Sequence, residues 1–255
     1  MQVSEHMNKI VTIHSFRQSV GKSSLTASLG ALLALRGYRI GLVDTDFQGA
    51  SAHLFYGLTD REIQGTFNDY LWKKCDVLKT AHNVTDRLGT QIDGKLFLVP
   101  ASTQISDIMQ MLRTPMSIDR FTEGLDVLEK ELALDIILVD THAGLNENNL
   151  MAIAVSNTLI LVLHPAPQDF QGTAVTIDVA RKLMVPSIQL VLNDSPEALN
   201  TTEGSHLLDD TYHCGEGFVL NHSEELLALA SSQPFVLVYP NHPLTARIKE
   251  LARQL

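Results

Sequence analysis

Short apolar runs alternate with amphipathic stretches along most of this 255-residue chain. Several runs, such as IILV and LILVL, are continuous in Val, Ile and Leu, as strands covered on both faces require. Between these runs, apolar residues recur at the spacing of a helix. The pattern predicts an α/β fold: a mostly parallel, twisted sheet of about seven or eight strands with helices on both faces.

The predicted elements are spread over the whole chain. Strands are predicted at residues 10–14, 40–44, 96–100, 136–140, 159–163, 188–192 and 218–221, with an eighth at 235–239. Helices are predicted at residues 22–36, 102–113, 117–132, 146–156, 169–184, 223–232 and 243–254. Residues 59–94 are the least regular, with a short helix in TFNDYLWKK, and residues 194–215 are predicted to be a polar surface excursion. Because no linker or repeat divides the chain, residues 1–255 are expected to form one domain.

Composition and charge narrow the class of protein. The chain is 45% hydrophobic and 19% charged, which suffices for a sizeable core. It contains neither the apolar region of a signal peptide nor a run of about 20 apolar residues, so a cytoplasmic location is expected. Cys75 and Cys214 are isolated, which disfavours a disulfide framework or a paired-cysteine metal site. The net charge of −10 argues against a dedicated nucleic-acid binder.

A candidate phosphate-binding loop, FRQSVGKSS, occupies residues 16–24 between the first predicted strand and the first predicted helix. In such a loop, backbone N–H groups and the helix N-terminus surround phosphate oxygens, while a lysine neutralises them. Gly21, Lys22 and Ser23 match the end of the consensus G-x-x-x-x-G-K-[ST], whereas Phe16 stands at the first glycine. Because the match is partial, the interpretation as a phosphate-binding loop depends on the residues at the neighbouring strand ends.

Aspartates follow two of the apolar strands. Asp44 and Asp46 end IGLVDTD, and Asp140 ends IILVD. A single aspartate at such a point commonly begins a turn. Ligands of a parallel sheet, however, bind beyond the carboxyl ends of its strands, and Mg²⁺ prefers oxygen ligands. Three aspartates beside a Gly-Lys-Ser loop therefore favour a magnesium–nucleotide site, with a hydroxyl from Ser23 and a metal-bound water on Asp140.

These motifs together resemble the MinD/ParA group of deviant-Walker P-loop ATPases, of the SIMIBI class, over most of the chain. The residues that carry the resemblance are LVDTDFQGAS, LVDTHAGLNENNL, RQSVGKSS, the Asn193 of VLND, and a closing strand–helix–strand segment, LNHSEELLALASSQPFVLVYPNHPL. The resemblance implies an ATPase that binds ATP or ADP with Mg²⁺ and forms an ATP-dependent homodimer. It also implies a role in intracellular positioning, partitioning or division-site regulation, with an activating or cargo-adaptor protein as partner.

The resemblance further implies a role for each matching residue. The loop residues that would hold the nucleotide are Arg17, Gln18, Ser19, Val20, Gly21, Lys22, Ser23 and Ser24. Lys22 would contact the β- and γ-phosphates, Asp46 would position or activate the attacking water, and Ser23 and Asp140 would organise Mg²⁺. Asn193 would accept a hydrogen bond from the adenine amino group, although it equally suits a strand-to-turn residue.

Three loop positions depart from the family's usual sequence, K-G-G-x-G-K-[ST]-[ST]. Arg17 replaces the signature lysine, which in this family reaches the phosphates of the partner. Because arginine retains the charge, the resemblance implies that Arg17 acts in trans in catalysis. The alternative interpretation is a surface arginine that only adds affinity for the nucleotide. Gln18 and Ser19 replace glycines, and a Cβ at either position restricts positive φ. An alternative function follows: a degenerate nucleotide-binding interaction module with little or no hydrolysis.

Two regions are candidates for binding a membrane or DNA. Leu244, Ile248, Leu251 and Leu255 form an apolar stripe that resembles a weak membrane-lying helix, although a core-facing helix is the favoured interpretation. The basic pair at residues 181–182 and the basic residues near the C-terminus would contribute to non-specific DNA binding, which needs several phosphate contacts.

Four further residues lie near the predicted ligand edge. His14, His142 and His164 lie near the ends of predicted strands, and a structural role for them is favoured over a metal site. His142 stands where the family often has proline, which suggests a switch role. Asp169 is interpreted first as the N-terminal cap of a helix and second as a nucleotide or dimer contact.

Overall fold

The computed structural model describes residues 9–255 apart from residues 90, 197, 198, 200 and 216. Within these residues one eight-stranded sheet forms. Its strands are β1 (Lys9–His14), β2 (Arg39–Thr45), β3 (His82–Asn83), β4 (Lys95–Val99), β5 (Ile136–Thr141), β6 (Thr158–Leu163), β7 (Ser187–Ser195) and β8 (Phe218–Asn221). The strand order is β3-β4-β2-β5-β1-β6-β7-β8, and β3–β4 is the antiparallel pair in an otherwise parallel sheet.

Helices cover both faces of the sheet. They are α1 (Lys22–Leu35), α2 (Ala52–Phe55), α3 (Phe67–Leu71), α4 (Ile105–Arg113), α5 (Ile118–Leu132), α6 (Glu147–Ala154), α7 (Pro167–Lys182), α8 (Thr201–Tyr212), α9 (Glu224–Ala228), α10 (Phe235–Val238) and α11 (Pro243–Leu251). Along β5, Ile136 and Leu138 join the core that contains α1, whereas Ile137 and Val139 join the core that contains α5. The α/β architecture predicted from the hydrophobic pattern is confirmed.

The parallel register brings together the three strands that carry the candidate chemistry. Strand β5 lies between β1 and β2, and Asp140 pairs with Ile13 on one side and with Asp44 on the other. Because parallel strands end at the same edge of a sheet, the loops after β1, β2 and β5 meet there.

The predicted strand at residues 235–239 is wrong. Phe235–Val238 form α10 after Pro234, and the N–H of Leu237 donates to the Pro234 carbonyl at 3.0 Å. Phe235 and Val236 are buried in the core with α1 instead of pairing along the sheet edge. Periodicity cannot distinguish a short apolar strand from a buried helical turn. The closing segment therefore contains β8, α9 and α10 instead of strand, helix and strand.

The predicted polar excursion at residues 194–215 is also incorrect in part, because much of it forms α8. Leu208 and Tyr212, four residues apart, bury their side chains in the core that contains β6 and β7. Few other positions of this helix are apolar, which is why its period was weak in the sequence.

The apolar stripe near the C-terminus belongs to the core. Leu244, Ile248 and Leu251 of α11 are buried in the cluster that also contains α1, so the core-facing interpretation is confirmed. Among the described residues, no helix combines the length and the apolar content that crossing a membrane requires.

Candidate functional site

The loop after β1 has the backbone of a phosphate-binding turn. Gly21 precedes α1 with a φ of +90°, and a Cβ there would lie 2.4 Å from Nδ2 of Asn193, so only glycine fits. Ser19 also has a positive φ, of 60°, even though it carries a Cβ. The left-handed conformation expected of glycine is thus kept at one of the two substituted positions, at an energetic cost.

The lysine of the loop is held inside it. Lys22 is only 7% exposed, and its Nζ donates to Oγ of Ser15 at 2.9 Å. Ser15 donates in turn to the carbonyl of Arg17 at 2.5 Å. Burial lowers the pKa of Lys22, while the charges of Asp140 and Asp46 oppose this shift. The ammonium group therefore lies at the centre of the loop, with carboxylates beyond it.

Asp44 organises the loop that follows β2. Its carboxylate accepts hydrogen bonds from the backbone N–H of Asp46 at 2.9 Å and from those of Ser51 and Ala52 at 3.2 Å. Burial, together with the charges of Asp140 and Asp46, raises the pKa of Asp44 well above its usual range. Asp44 is thus a structural residue that fixes where the loop places Asp46.

The carboxylate of Asp46 has a histidine partner. Its Oδ1 lies 2.7 Å from Nδ1 of His142 and accepts the backbone N–H of Gly49 at 2.9 Å. Nε2 of His142 lies 3.1 Å from Nε2 of Gln18. Burial raises the pKa of Asp46, but the hydrogen bonds from His142 and from the backbone of Gly49 and Gln48 outweigh this effect, so the pKa is lowered overall. Asp46 is therefore ionised and oriented.

Asp140 has the features of a magnesium-site residue. Its Oδ1 accepts a hydrogen bond from Oγ1 of Thr26 at 3.4 Å, while its buried Oδ2 makes no hydrogen bond among the described residues. Burial raises the pKa of Asp140 to about 6, against the nearby hydroxyl of Ser23 and the charge of Lys22. An orphaned buried oxygen beside a hydroxyl fits the oxygen ligands that Mg²⁺ prefers.

Two residues at the start of the loop contact α7 instead of the cavity. Arg17 is 46% exposed, and its Nη1 donates to Oδ1 of buried Asp169 at 2.8 Å. The ring of Phe16 covers Gly172, where a Cβ would meet Cδ1 of the ring at 2.0 Å. The bulk of Phe16 is thus directed away from the phosphate side of the loop.

The interpretation of Asp169 as a helix cap is wrong. Helix α7 begins at Pro167, and its N-cap residue is Ala166. Asp169 is therefore the third residue of the helix, inside the first turn. Besides Arg17, the carboxylate accepts the backbone N–H of His164 at 3.0 Å.

Asn193 lies at the far side of the loop, as a buried residue of β7. Its Nδ2 donates to the carbonyl of Val20 at 2.8 Å, which orients the side-chain amide. Lys22, Ser23 and Asp46 line a cavity of about 580 Å³, and Asn193 lines an adjoining cavity of about 230 Å³. Residues common to both cavities are Ser19, Gly21, Ser24, Phe55 and Ser231.

The three histidines near the sheet edge have different environments. His14 is buried, its Nδ1 lies 2.8 Å from Oγ1 of Thr141, and burial with the charge of Lys22 lowers its pKa to about 3. His142 contacts Asp46, and His164 lines the smaller cavity. The described residues contain no group of three or more His, Cys, Asp or Glu side chains suited to a metal ion.

The sequence motifs include the main residues of the site but not two residues that support them. Lys22, Ser23 and Asp46 line one cavity, and the buried Asp140 interacts with the hydroxyl of Ser23 and the charge of Lys22. Ser15, which binds the lysine, and Gly172, which accommodates Phe16, were not identified. Neither carries a motif, because their roles depend on contacts across the fold.

The site is that of a P-loop nucleotide-binding protein, and comparisons with known proteins agree. A family model described as an AAA domain matches residues 8–208. An uncharacterized ATP-binding protein of Methanocaldococcus jannaschii is 24% identical over 246 residues, which cover 96% of this chain and 86% of that protein. The septum site-determining protein MinD of Synechocystis is 25% identical over 187 residues, which cover 73% of this chain and 65% of that protein.

Solved structures share the fold. The MinC:MinD cell division protein complex of Aquifex aeolicus matches 96% of this chain and 94% of the aligned chain, with a TM-score of 0.80 at 19% identity. MinD of Pyrococcus horikoshii, complexed with Mg-ADP, matches 97% of this chain and 96% of its own, with a TM-score of 0.79 at 20% identity. The chain belongs to the AAA domain family and, within it, to the MinD/ParA group of P-loop ATPases.

Proposed function

We propose that this chain binds ATP or ADP with Mg²⁺ and hydrolyses ATP slowly, within one P-loop domain. The observation that carries the proposal is the meeting of three charged side chains at the ends of β1, β2 and β5: Lys22 and Asp46 line one cavity, and the buried Asp140 interacts with the charge of Lys22. Phosphoryl transfer depends mainly on positioning and on charge neutralisation. A buried ammonium, an ionised carboxylate and an orphaned carboxylate oxygen provide both.

Each residue has a defined task in this proposal. Lys22 would neutralise the β- and γ-phosphates in place of its present partner, Ser15. Ser23 and Asp140 would hold Mg²⁺, which would offset the charge of the phosphates when bound. Asp46, whose lowered pKa keeps it ionised, would orient the attacking water.

The remaining loop residues would hold the rest of the nucleotide. Gln18, Ser19 and Ser24 line the larger cavity, where the phosphates would lie. Val20 is buried, and its carbonyl fixes the amide of Asn193. With Nδ2 engaged in this way, Oδ1 is the atom of Asn193 suited to accept the adenine amino group.

A homodimer that forms with ATP is the proposed working state, acting in intracellular positioning, partitioning or division-site regulation with a partner-stimulated rate. The MinD relatives support this, and the Aquifex protein is recorded in complex with MinC. The buried stripe of α11 gives no support to a membrane role for that helix. Non-specific DNA binding has weak support, because Arg181 donates to the Tyr212 carbonyl at 2.7 Å.

A second candidate function is a nucleotide-binding interaction module with negligible turnover. The observation that favours it is the ion pair between Arg17 and Asp169 of the same chain. While this pair persists, one nitrogen of the Arg17 guanidinium is engaged by Asp169 instead of the phosphates of a partner. Hydrolysis at the uncatalysed rate, with and without candidate partners, would support this second function.

The first prediction concerns Asp46→Ala. We expect it to lower single-turnover ATP hydrolysis by about 10²–10⁴-fold, because the group that orients water is lost, while ATP binding persists. Rapid-quench kinetics measure the rate, and titration calorimetry measures the affinity. Asp126→Ala, at an exposed position of α5, is the matched control and should leave both unchanged. Unaltered hydrolysis in Asp46→Ala would remove Asp46 from its proposed role.

A further inference from the structure

The histidine beside Asp46 links the three loops of the site. It lies two residues after Asp140, its Nδ1 reaches Asp46 in the loop after β2, and its Nε2 reaches Gln18 in the loop after β1. The side chains of His142 and Asp46 are only 15% and 17% exposed. Such burial limits exchange of these hydrogen bonds with water.

The contacts determine which nitrogen of His142 carries the proton. An ionised carboxylate only accepts hydrogen bonds, so the short contact with Asp46 requires a proton on Nδ1. In the neutral ring, Nε2 is then an acceptor, and the amide of Gln18 donates to it. All donors in this chain of three side chains are therefore directed toward Asp46.

The backbone around His142 is also fixed. Its carbonyl accepts Nδ2 of Asn149 at 3.0 Å, and the N–H of Gly144 donates to the carbonyl of Ser15 at 2.9 Å. The imidazole is thus held at both its backbone and its ring nitrogens. A fixed donor of this kind can restrict the rotation of the carboxylate it contacts.

We propose that His142 is a positioning residue for ATP hydrolysis, which holds the carboxylate of Asp46 in its working orientation, while Gln18 stabilises the tautomer of the ring that the contact with Asp46 requires. The inference rests on the proposed ATPase function. It also gives a role to Gln18, at a position where the related loops carry glycine. The roles of Gln18 and His142, two residues unusual for the family, then depend on each other.

The tautomer is measurable without turnover. In the nucleotide-free, full-length protein at mildly alkaline pH, NMR of isotope-labelled histidine distinguishes the Nδ1–H from the Nε2–H ring through the Cδ2 shift. The signal of His142 is identified by its loss in His142→Asn. We expect the Nδ1–H form in the wild type and a shift toward Nε2–H in Gln18→Ala. An Nε2–H ring in the wild type would overturn the proposal.

Kinetics test the positioning role. We expect His142→Ala to lower the single-turnover rate about 10–100-fold, with a much smaller change in the Kd for ATP. His142→Asn, which can place an amide N–H near the position of Nδ1, should recover most of the rate. In an Asp46→Asn background, His142→Ala should cause little further loss, because it acts through Asp46.

Other outcomes are equally decisive. A parallel loss of rate and affinity, no recovery in His142→Asn, or full additivity with Asp46→Asn would each overturn the role. His206→Asn, at an exposed position of α8, is the control for exchanging a histidine. Absence of hydrolysis in the wild type would contradict the proposed function instead, and the tautomer measurement would still decide whether Gln18, His142 and Asp46 form the chain.

Discussion

Buried titratable residues at the ends of β1, β2 and β5 influence one another's charge. Burial acts on all of them, lowering the pKa of His14 and Lys22 and raising those of Asp44 and Asp140. At Asp46, hydrogen bonds reverse the effect of burial. The individual ionisation states of the site therefore depend on specific partners, and that of His14 can be tested separately.

His14 should make stability depend on pH. Its pKa falls from 6.5 to about 3 on folding, so between these values the unfolded chain binds more protons than the folded chain. Stability is therefore lost as the pH falls below 6.5, by about 1.4 kcal/mol per pH unit from this group. Urea unfolding of the wild type and of His14→Asn, from neutral to acidic pH, measures the difference. Equal slopes in both proteins would contradict the shift.

The pair between Arg17 and Asp169 should contribute to the stability of the nucleotide-free protein. Arg17→Ala leaves the buried carboxylate without its cation, which we expect to cost about 1–3 kcal/mol. Asp169→Asn in the Arg17→Ala background should recover part of this loss, since the amide carries no charge. Urea unfolding checks both variants. If Arg17→Ala unfolds at the wild-type midpoint, the ion pair does not form in solution.

At the scale of elements, the start of the P-loop is attached to α7. Phe16 packs on Gly172, and Arg17 pairs with Asp169, one turn earlier in the same helix. The missing side chain at Gly172 makes room for the ring that replaces the first glycine of the consensus. Loop and helix are thus complementary to each other.

This complementarity predicts the effect of Gly172→Ala. Its methyl group would overlap the ring of Phe16, so the loop has to move, and we expect the affinity for ATP to fall about 10-fold, corresponding to about 1.4 kcal/mol. Titration calorimetry with ATP measures the loss. Phe16→Ala combined with Gly172→Ala should restore binding, because the overlap is removed. No recovery in the double variant would show that another effect of Gly172 is responsible.

At the scale of the molecule, the candidate site lies at one edge of the sheet and is partly open. Arg17 is 46% exposed beside it, which leaves its guanidinium accessible to a second copy of the chain. A sandwich dimer would require Arg17 to exchange Asp169 for the phosphates of the partner's nucleotide. Binding of ATP would supply the opposing charge for this exchange.

Formation of an ATP-dependent dimer can be tested in the Asp46→Ala variant, which is expected to bind ATP without hydrolysing it. With ATP and Mg²⁺, light scattering after size exclusion should report twice the mass of one chain, and with ADP the mass of one chain. Arg17→Ala in the same background should remain monomeric with ATP, because the contact across the interface is lost. A dimer that forms equally with ADP, or without Arg17, would argue against exchange of Arg17 between the two partners.

The hydrophobic pattern was sufficient for most of the fold. Continuous apolar runs such as those of β5 and β6 have to be buried on both faces, so the class of sheet follows from them alone. The same pattern did not specify α10 or β3, since a four-residue turn and a two-residue strand carry too few positions to show a period.

The sequence by itself determined the candidate chemistry, because a Gly-Lys-Ser turn and aspartates at strand ends must meet wherever parallel strands end together. Only the tertiary structure decided how Phe16, Arg17 and His142 are used. Their partners, Gly172, Asp169 and Asp46, lie between 96 and 156 residues away along the chain. No local rule relates such distant positions, and packing alone selects which of them touch.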